Sequence, residues 1–287
     1  MMVEIKDASA IRVTLCLDKV GMTQNLRLRK FDPSKMGDNR IAIFIGKRGT
    51  GKTTLITDIL YHKRYIPAGV VMSGTEEGNG HYGSIVPDSY IYPDFDKDVV
   101  EKIIGRQRRL AKNKTEGDSR VFMLMDDCLY DRKITREKCI RSLFFNGRHW
   151  SIFLMITMQY CMDMGPDLRS NCDYVFVCRE NIRTVREKIY KSFFGIFPTF
   201  DMFCQVMDAC TTDYQCLVLD NTSTSNSVED CVFWYKADIH PSFRVGCDRF
   251  WKYHTQTYKP HDQDEDSEAE YYPTSRGGRR VRVHKLQ

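Results

Sequence analysis

The residues Gly46-Lys47-Arg48-Gly49-Thr50-Gly51-Lys52-Thr53 fit the spacing G-x-x-x-x-G-K-[ST] without departure. They lie between a β-rich apolar run, Ile41-Ala42-Ile43-Phe44-Ile45, and a helical pattern through Leu55, Ile59 and Leu60. Strand, glycine loop and helix in that order are the context in which this spacing carries chemistry. The glycines let backbone N–H groups turn inward around phosphate oxygens, and the helix N-terminus adds positive potential. Lys52 is expected to bridge a β- and a γ-phosphate, and the Thr53 hydroxyl to complete the coordination of Mg²⁺. Gly46, Lys47, Arg48, Gly49, Thr50, Gly51 and Thr54 complete the expected phosphate cradle. Lys47 and Arg48 place further positive charge inside it.

Short apolar runs recur at Gly69–Met72, Val121–Met125, Ile152–Thr157, Tyr174–Cys178 and Gln215–Leu219, each bounded by turn formers or charges. They read as buried strands of a parallel sheet. Helical patterns lie between them at Asp98–Ala111, Thr135–Phe145 and Ile182–Phe193, so the chain is expected to form a three-layer α/β sandwich. The segment Thr75–Asp94, rich in Gly, Pro, Ser and Tyr and without periodicity, reads as a long surface loop or lid. Residues 1–38 read as an extension, β in character, ahead of one main domain at 39–258. The tail at 259–287 joins an acidic block, Asp262–Glu270, to a basic one, Arg276–Arg282, and neither can bury enough apolar surface to fold alone.

Composition narrows the functions available. Acids interrupt the first residues before an apolar signal core could form, and the longest apolar run, Ile152–Met158, is too short to span a bilayer. The protein is therefore expected to be soluble and intracellular. Its eleven cysteines contain no C-x₂-C pair, which favours free buried thiols over metal ligands or disulfides. Seven scattered histidines suggest no metal cluster, and His62 and His149 read as ordinary packing or surface residues. A net charge of +5 favours polyanions only mildly.

Two further strands end in polar residues. Val121–Met125 leads into Asp126-Asp127, and a buried strand of this kind delivers Asp126 to the sheet edge where a carboxylate can hold hydrated Mg²⁺. Asp127 is then placed to polarise the attacking water. Ile152–Met158 ends in Gln159, a candidate sensor of the γ-phosphate. Hydrolysis also needs positive charge at the transferred phosphoryl group, often from a neighbouring subunit. Arg148 is the first choice for that role, with Arg141, Arg169 and Arg179 as rivals. The absence of an Asn-Lys-x-Asp guanine motif favours ATP.

The phosphate loop, Asp126-Asp127-Cys128, and Gly147-Arg148-His149 leading into Gln159 together resemble the genome-packaging ATPases of nucleocytoplasmic large DNA viruses. That group is similar to the FtsK/HerA-like P-loop translocases. The resemblance implies an α/β P-loop NTPase with an additional strand between the P-loop strand and the acidic strand. It also implies ATP and Mg²⁺ as cofactors, and a homo-oligomeric ring, pentameric or hexameric, that draws double-stranded viral DNA into a preformed capsid. Capsid or inner-membrane vertex proteins are the implied docking partners, in the host cytoplasm and the virion. In that setting Asp127 activates water and Gln159 couples hydrolysis to motion. Two rivals share the P-loop: a nucleoside or nucleotide kinase, and a nucleotide switch in virion assembly that binds without turnover.

Overall fold

The computed structural model describes residues 3–7, 10–17, 22–74, 80–113, 117–129, 131, 133–159 and 164–257 of the 287-residue chain. The expected acidic and basic tail lies outside the described residues. Three N-terminal strands, β1 (Val3–Asp7), β2 (Ala10–Leu17) and β3 (Met22–Arg29), form an antiparallel sheet of their own. The main sheet contains β4 (Ile41–Ile45), β5 (Ala68–Ser73), β6 (Ile91–Tyr92), β7 (Val121–Asp126), β8 (Ile152–Met158), β9 (Tyr174–Val177), β10 (Gln215–Asp220) and β11 (Val232–Lys236). Its spatial order is β11-β10-β9-β4-β8-β7-β5-β6.

Covering both faces explains the unbroken apolar runs. Every residue of β4 is buried. Ile41, Ile43 and Ile45 face one core, while Ala42 and Phe44 face the other. The second core takes Leu55, Ile56, Ile59 and Leu60 of α1 (Lys52–His62). The first takes α2 (Lys97–Asn113), α3 (Lys138–Asn146), α4 (Arg183–Phe193) and α5 (Phe200–Cys210). A last helix, α6 (Asp248–Thr257), buries Phe250 on the α1 side. The three-layer α/β arrangement is thus the one expected, and β8 lies between β4 and β7 as the additional strand.

Three expectations need correction. First, β10 runs antiparallel to β9, because two helices, α4 and α5, connect them and the second reverses the direction set by the first. Second, the segment read as a surface loop contributes to the core: Tyr82, Ile85 and Val86 are buried against α1 and the sheet. Third, α5 was not anticipated, although Met202, Phe203, Val206, Met207 and Cys210 recur at helical spacing. Its N-cap Thr199 accepts a hydrogen bond from the Met202 N–H at 3.2 Å, satisfying a first-turn donor.

The N-terminal sheet is docked onto the main body. Ile11, Val13, Leu15, Leu26 and Leu28 join the core that contains α5, and the Phe31 N–H bonds Trp234 O of β11 at 2.9 Å.

At the sheet edge remote from the glycine loop, Asp38 ties three elements together. Its carboxylate accepts from Lys63, at the end of α1, at 2.8 Å, from the Tyr65 hydroxyl at 2.7 Å, and from Arg120, which precedes β7. Lys63 is only 1% exposed. Burial raises the Asp38 carboxyl, but the bonds from Lys63 and Tyr65 outweigh it and hold the group below the usual carboxylate range. A lowered folded-state value means that stabilisation is present above the ordinary carboxylate range and is lost as pH falls through the folded value. Asp38→Asn, which leaves Lys63 buried without its anion, should cost about 3 kcal/mol in urea unfolding at neutral pH. The gap from wild type should close below about pH 4.

Candidate active site

The glycine loop leaves β4 and enters α1 at the sheet's C-terminal edge. Gly49 and Gly51 occupy left-handed conformations, with φ of +75° and +89°, which residues bearing a Cβ adopt only at a cost. Gly46 is required for a different reason: a Cβ there would lie 2.7 Å from Thr50 Oγ1 and 2.8 Å from Cys178 Cβ. The Gly46 N–H bonds Met158 O at 3.1 Å, and the Thr50 hydroxyl bonds Lys47 O at 2.7 Å, so the loop is fastened to β8 and to itself. Gly51 caps α1 without a side-chain bond, and the first turn holds no acid. Its free N–H groups therefore face a concavity lined by Lys47, Arg48, Gly49, Gly51, Lys52, Thr53, Thr54, Asp126 and Asp127. Lys52, 8% exposed, folds its ammonium back onto Gly46 O at 2.7 Å and Lys47 O at 3.2 Å. Those are bonds that phosphate oxygens can replace.

Across the concavity the two strand-end acids are organised by a residue hidden inside the apolar run of β8. The Thr157 hydroxyl donates to Asp126 Oδ1 at 2.8 Å and accepts from the Asp127 N–H at 2.7 Å. Tyr82 donates to the other Asp126 oxygen at 2.8 Å. Asp127 has φ +51°, a conformation Asp tolerates better than most residues. The Gln159 amide donates to its Oδ2 at 3.3 Å. Asp126 and Asp127, more than thirty positions before Gln159 in sequence, thus form with it one hydrogen-bonded group beside Lys52 and Thr53. Thr157 and Tyr82 were not singled out by the sequence; a hydroxyl breaking an otherwise apolar strand was the only signal for the first.

The basic residues divide differently from expectation. Lys47 is neutralised by Glu180, an ion pair of 2.7 Å to a carboxylate that is 5% exposed, so its charge is not free for phosphate. Arg148 is not brought to the site of its own chain. It lies before β8, at the opposite sheet edge, and donates to the buried Asp173 at 2.6 Å. Any contribution from it would have to reach a neighbouring copy. Arg141 pairs with Asp167 and Arg169 bonds Met164 O. Of the rivals, Arg179 is the one placed beside the loop. It follows β9 and lines a second concavity with Arg48, Gly49, Asn181 and Tyr214.

Tyr214 forms the outer wall of that concavity. It and Asp213 both have positive φ, +58° and +50°, and Tyr214 as a residue is 70% exposed. A Cβ added at Gly51 would lie 3.3 Å from the Tyr214 ring, so this aromatic face abuts the loop. The neighbouring thiol, Cys178, is pushed up by burial to about 11, and Cys128 beside Asp126 to about 12. Both remain protonated at neutral pH and are unsuited to act as nucleophiles.

Together the strand order and the glycine loop define the additional-strand P-loop NTPase fold. No model of a known protein family matches the chain. It is 35% identical over 266 residues to the uncharacterized protein 088R of Invertebrate iridescent virus 3, covering 91% of this chain and 99% of that protein. It is 40% identical over 221 residues to the uncharacterized protein 015R of Frog virus 3 (isolate Goorha), covering 76% and 68%. A third relative, the uncharacterized protein L437 of Acanthamoeba polyphaga mimivirus, is 32% identical over 241 residues, covering 81% and 84%. The chain belongs to the family of large-DNA-virus proteins that these relatives represent. Among solved structures it is similar in fold to the genome packaging NTPase B204 of Sulfolobus turreted icosahedral virus 2 in complex with AMPPCP. That match has a TM-score of 0.51 at 16% identity, over 71% of this chain and 100% of that one. It is also similar to the pCW3 conjugation coupling protein TcpA, monomer form with ATPgS, with a TM-score of 0.51 at 15% identity over 81% and 66%. In fold, the expected resemblance to packaging ATPases and translocases therefore holds.

Removing the Thr157 hydroxyl while keeping its shape leaves the Asp127 N–H unpaired and takes one donor from Asp126. Thr157→Val should cost about 1–3 kcal/mol in urea unfolding, and Thr157→Ser should restore most of it.

Proposed function

We propose that the protein is a Mg²⁺-dependent ATPase that works as a homo-oligomeric ring to draw double-stranded viral DNA into a preformed capsid. The observation that carries this reading is the phosphate loop facing a prearranged Asp126–Thr157–Asp127–Gln159 network across one concavity. The residues present fit the group they would hold. Unpaired N–H groups of the first α1 turn and Lys52 suit the β- and γ-phosphates, and the Thr53 hydroxyl with the Asp126 carboxylate suits a hydrated hard cation. Bound there, Mg²⁺ supplies charge neutralisation at the phosphate oxygens.

Each protein group then has a task set by its position. Thr157 and Tyr82 fix the Asp126 rotamer, leaving lone pairs on both oxygens for metal-bound water. Asp127, on its left-handed backbone, turns its carboxylate toward the γ-phosphate side to orient and deprotonate water. Gln159 links that carboxylate to the end of β8, so a change at the phosphate is felt along a strand buried throughout. Arg48 and Arg179 face the phosphate side from within the same chain. Tyr214 offers a π-face for the nucleobase.

The DNA-handling part of the proposal draws on the fold shared with a genome packaging NTPase and on charge. α2 exposes Lys102, Arg106, Arg108, Arg109 and Lys112, a basic stripe suited to a phosphate backbone without base reading. Among the described residues no helix is long and apolar enough to cross a membrane.

Steady-state ATP hydrolysis by the purified protein, with and without long double-stranded DNA and with a light-scattering mass, tests the proposal. Stimulation by DNA in a ring-sized species is expected. Hydrolysis indifferent to DNA in a stable monomer, or phosphate transfer to an added nucleoside, would overturn the motor. Lys52→Ala should abolish turnover. Asp127→Asn should bind ATP normally yet hydrolyse it at least about 100-fold more slowly. Loss of the stacking face in Tyr214→Ala should raise KM for ATP about tenfold with kcat nearly unchanged.

A further inference from the structure

Away from the phosphate loop, the other half of α1 carries a second group of chemical interest. Asp58 is completely buried, 0% exposed, and a carboxylate in that setting is costly unless opposite charge is supplied. Among the described residues no lysine or arginine pairs with it. Two imidazoles aim at the same carboxylate oxygen instead: His240 Nε2 lies 2.5 Å from Oδ1, and His62 Nε2, one helical turn along, lies 3.6 Å from it. At 3.6 Å His62 is too far from that oxygen for a hydrogen bond, so the approach of the second imidazole is not accounted for by hydrogen bonding. The three donor atoms lie within 4.8 Å of one another.

The surroundings hold these groups in place. The Tyr235 hydroxyl donates to the other oxygen, Asp58 Oδ2. Tyr61 stacks on the His240 ring at 3.6 Å and 8°, and meets His62 edge-on at 5.8 Å and 87°. The ring planes are thus set by packing, and a carboxylate oriented by an outer hydroxyl is the arrangement found around metal ligands.

We propose that Asp58, His62 and His240 form a binding site for a divalent transition metal of the zinc type, with a water completing the tetrahedron on the solvent side of His62. Two neutral imidazoles and one carboxylate match the ligand preferences of Zn²⁺. Ordinary Zn–N and Zn–O lengths place ligand atoms about 3.3 Å apart, so Asp58 and His62 are already at the right spacing and His240 has to retreat by less than about 1 Å. The metal neutralises the buried carboxylate. It also fastens the chain beyond β11 to the helix whose first turn carries Lys52 and Thr53. The site is independent of the nucleotide reading, and neither depends on the other.

The test uses the full chain, stripped with a chelator and free of nucleotide, titrated with Co²⁺ as a spectroscopic probe. One Co²⁺ per chain should give the intense visible bands of a tetrahedral site, without the near-ultraviolet thiolate band that cysteine ligation produces, and Zn²⁺ should displace it. Zn²⁺ should also raise the thermal midpoint. His62→Gln and His240→Asn should remove both effects, and Tyr235→Phe should weaken binding ten- to a hundredfold. Absence of tetrahedral bands in wild type, or their persistence in the His62 variant, would overturn the assignment. His62, whose side chain is 26% exposed, decides the matter if His240→Asn fails to fold.

Discussion

The parallel register between β4 and β8 is the constraint on which the site depends. Ile45 lies opposite Met158 and Phe44 opposite Thr157, and the Gly46 N–H continues the ladder onto Met158 O. The phosphate loop therefore springs from the sheet at the level where β8 ends. On the far side of β8, Met125 pairs with Ile156, which brings Asp126 level with Thr157. A shift of one residue in either pairing would turn Thr157 to the opposite face and leave both acids without their common hydroxyl. Burial of all seven β8 residues makes such a shift expensive, so the apolar core fixes the geometry of polar groups that contribute little to it.

Backbone strain is concentrated around the same edge. Of the four described non-glycine residues with positive φ, three, Asp127, Asp213 and Tyr214, surround the phosphate loop, and Gly49 and Gly51 within it share that conformation. Each non-glycine residue of this kind costs of order 1 kcal/mol, which the packed sheet beneath can sustain. The result is a set of groups whose positions are fixed before any ligand arrives: a turned carboxylate, an exposed ring and a row of unpaired N–H groups. Prearrangement of this kind lowers the reorganisation needed when charge develops.

What could be read from sequence was what is encoded locally. The loop motif, the strand that feeds it, and acids or amides directly after apolar runs are all features of a few adjacent residues, and each of them arrives at the C-terminal edge. Residues whose importance lies in tertiary pairing were not legible. Lys47 looks like a phosphate ligand until Glu180, far along the chain, is seen to neutralise it. Arg148 precedes the strand that bears Gln159, so sequence proximity suggested a shared site. A residue before a strand, however, sits one strand length away from a residue after it. Tyr82 falls in an aperiodic segment with no pattern to mark it as buried. His62 and His240 appear unrelated until β10 and β11 bring the second beside α1.

The direction of β10, misjudged from its apolar pattern, has a consequence for the site. A parallel strand entered through one helix would begin at the sheet edge where Asp173 and Arg148 lie. The turn preceding it would then be far from the phosphate loop. Because α4 and α5 together reverse the chain twice, β10 begins at the C-terminal edge, with Gln215 opposite Lys236 and the Asp213–Tyr214 turn seated against Gly51. The loop is consequently flanked on both sides by elements of one sheet. The acids and the amide approach from β7 and β8, and the aromatic face and Arg179 approach from β9 and β10. An additional-strand core supplies the first flank by its topology alone; the second exists here because the strand beyond β9 was turned over.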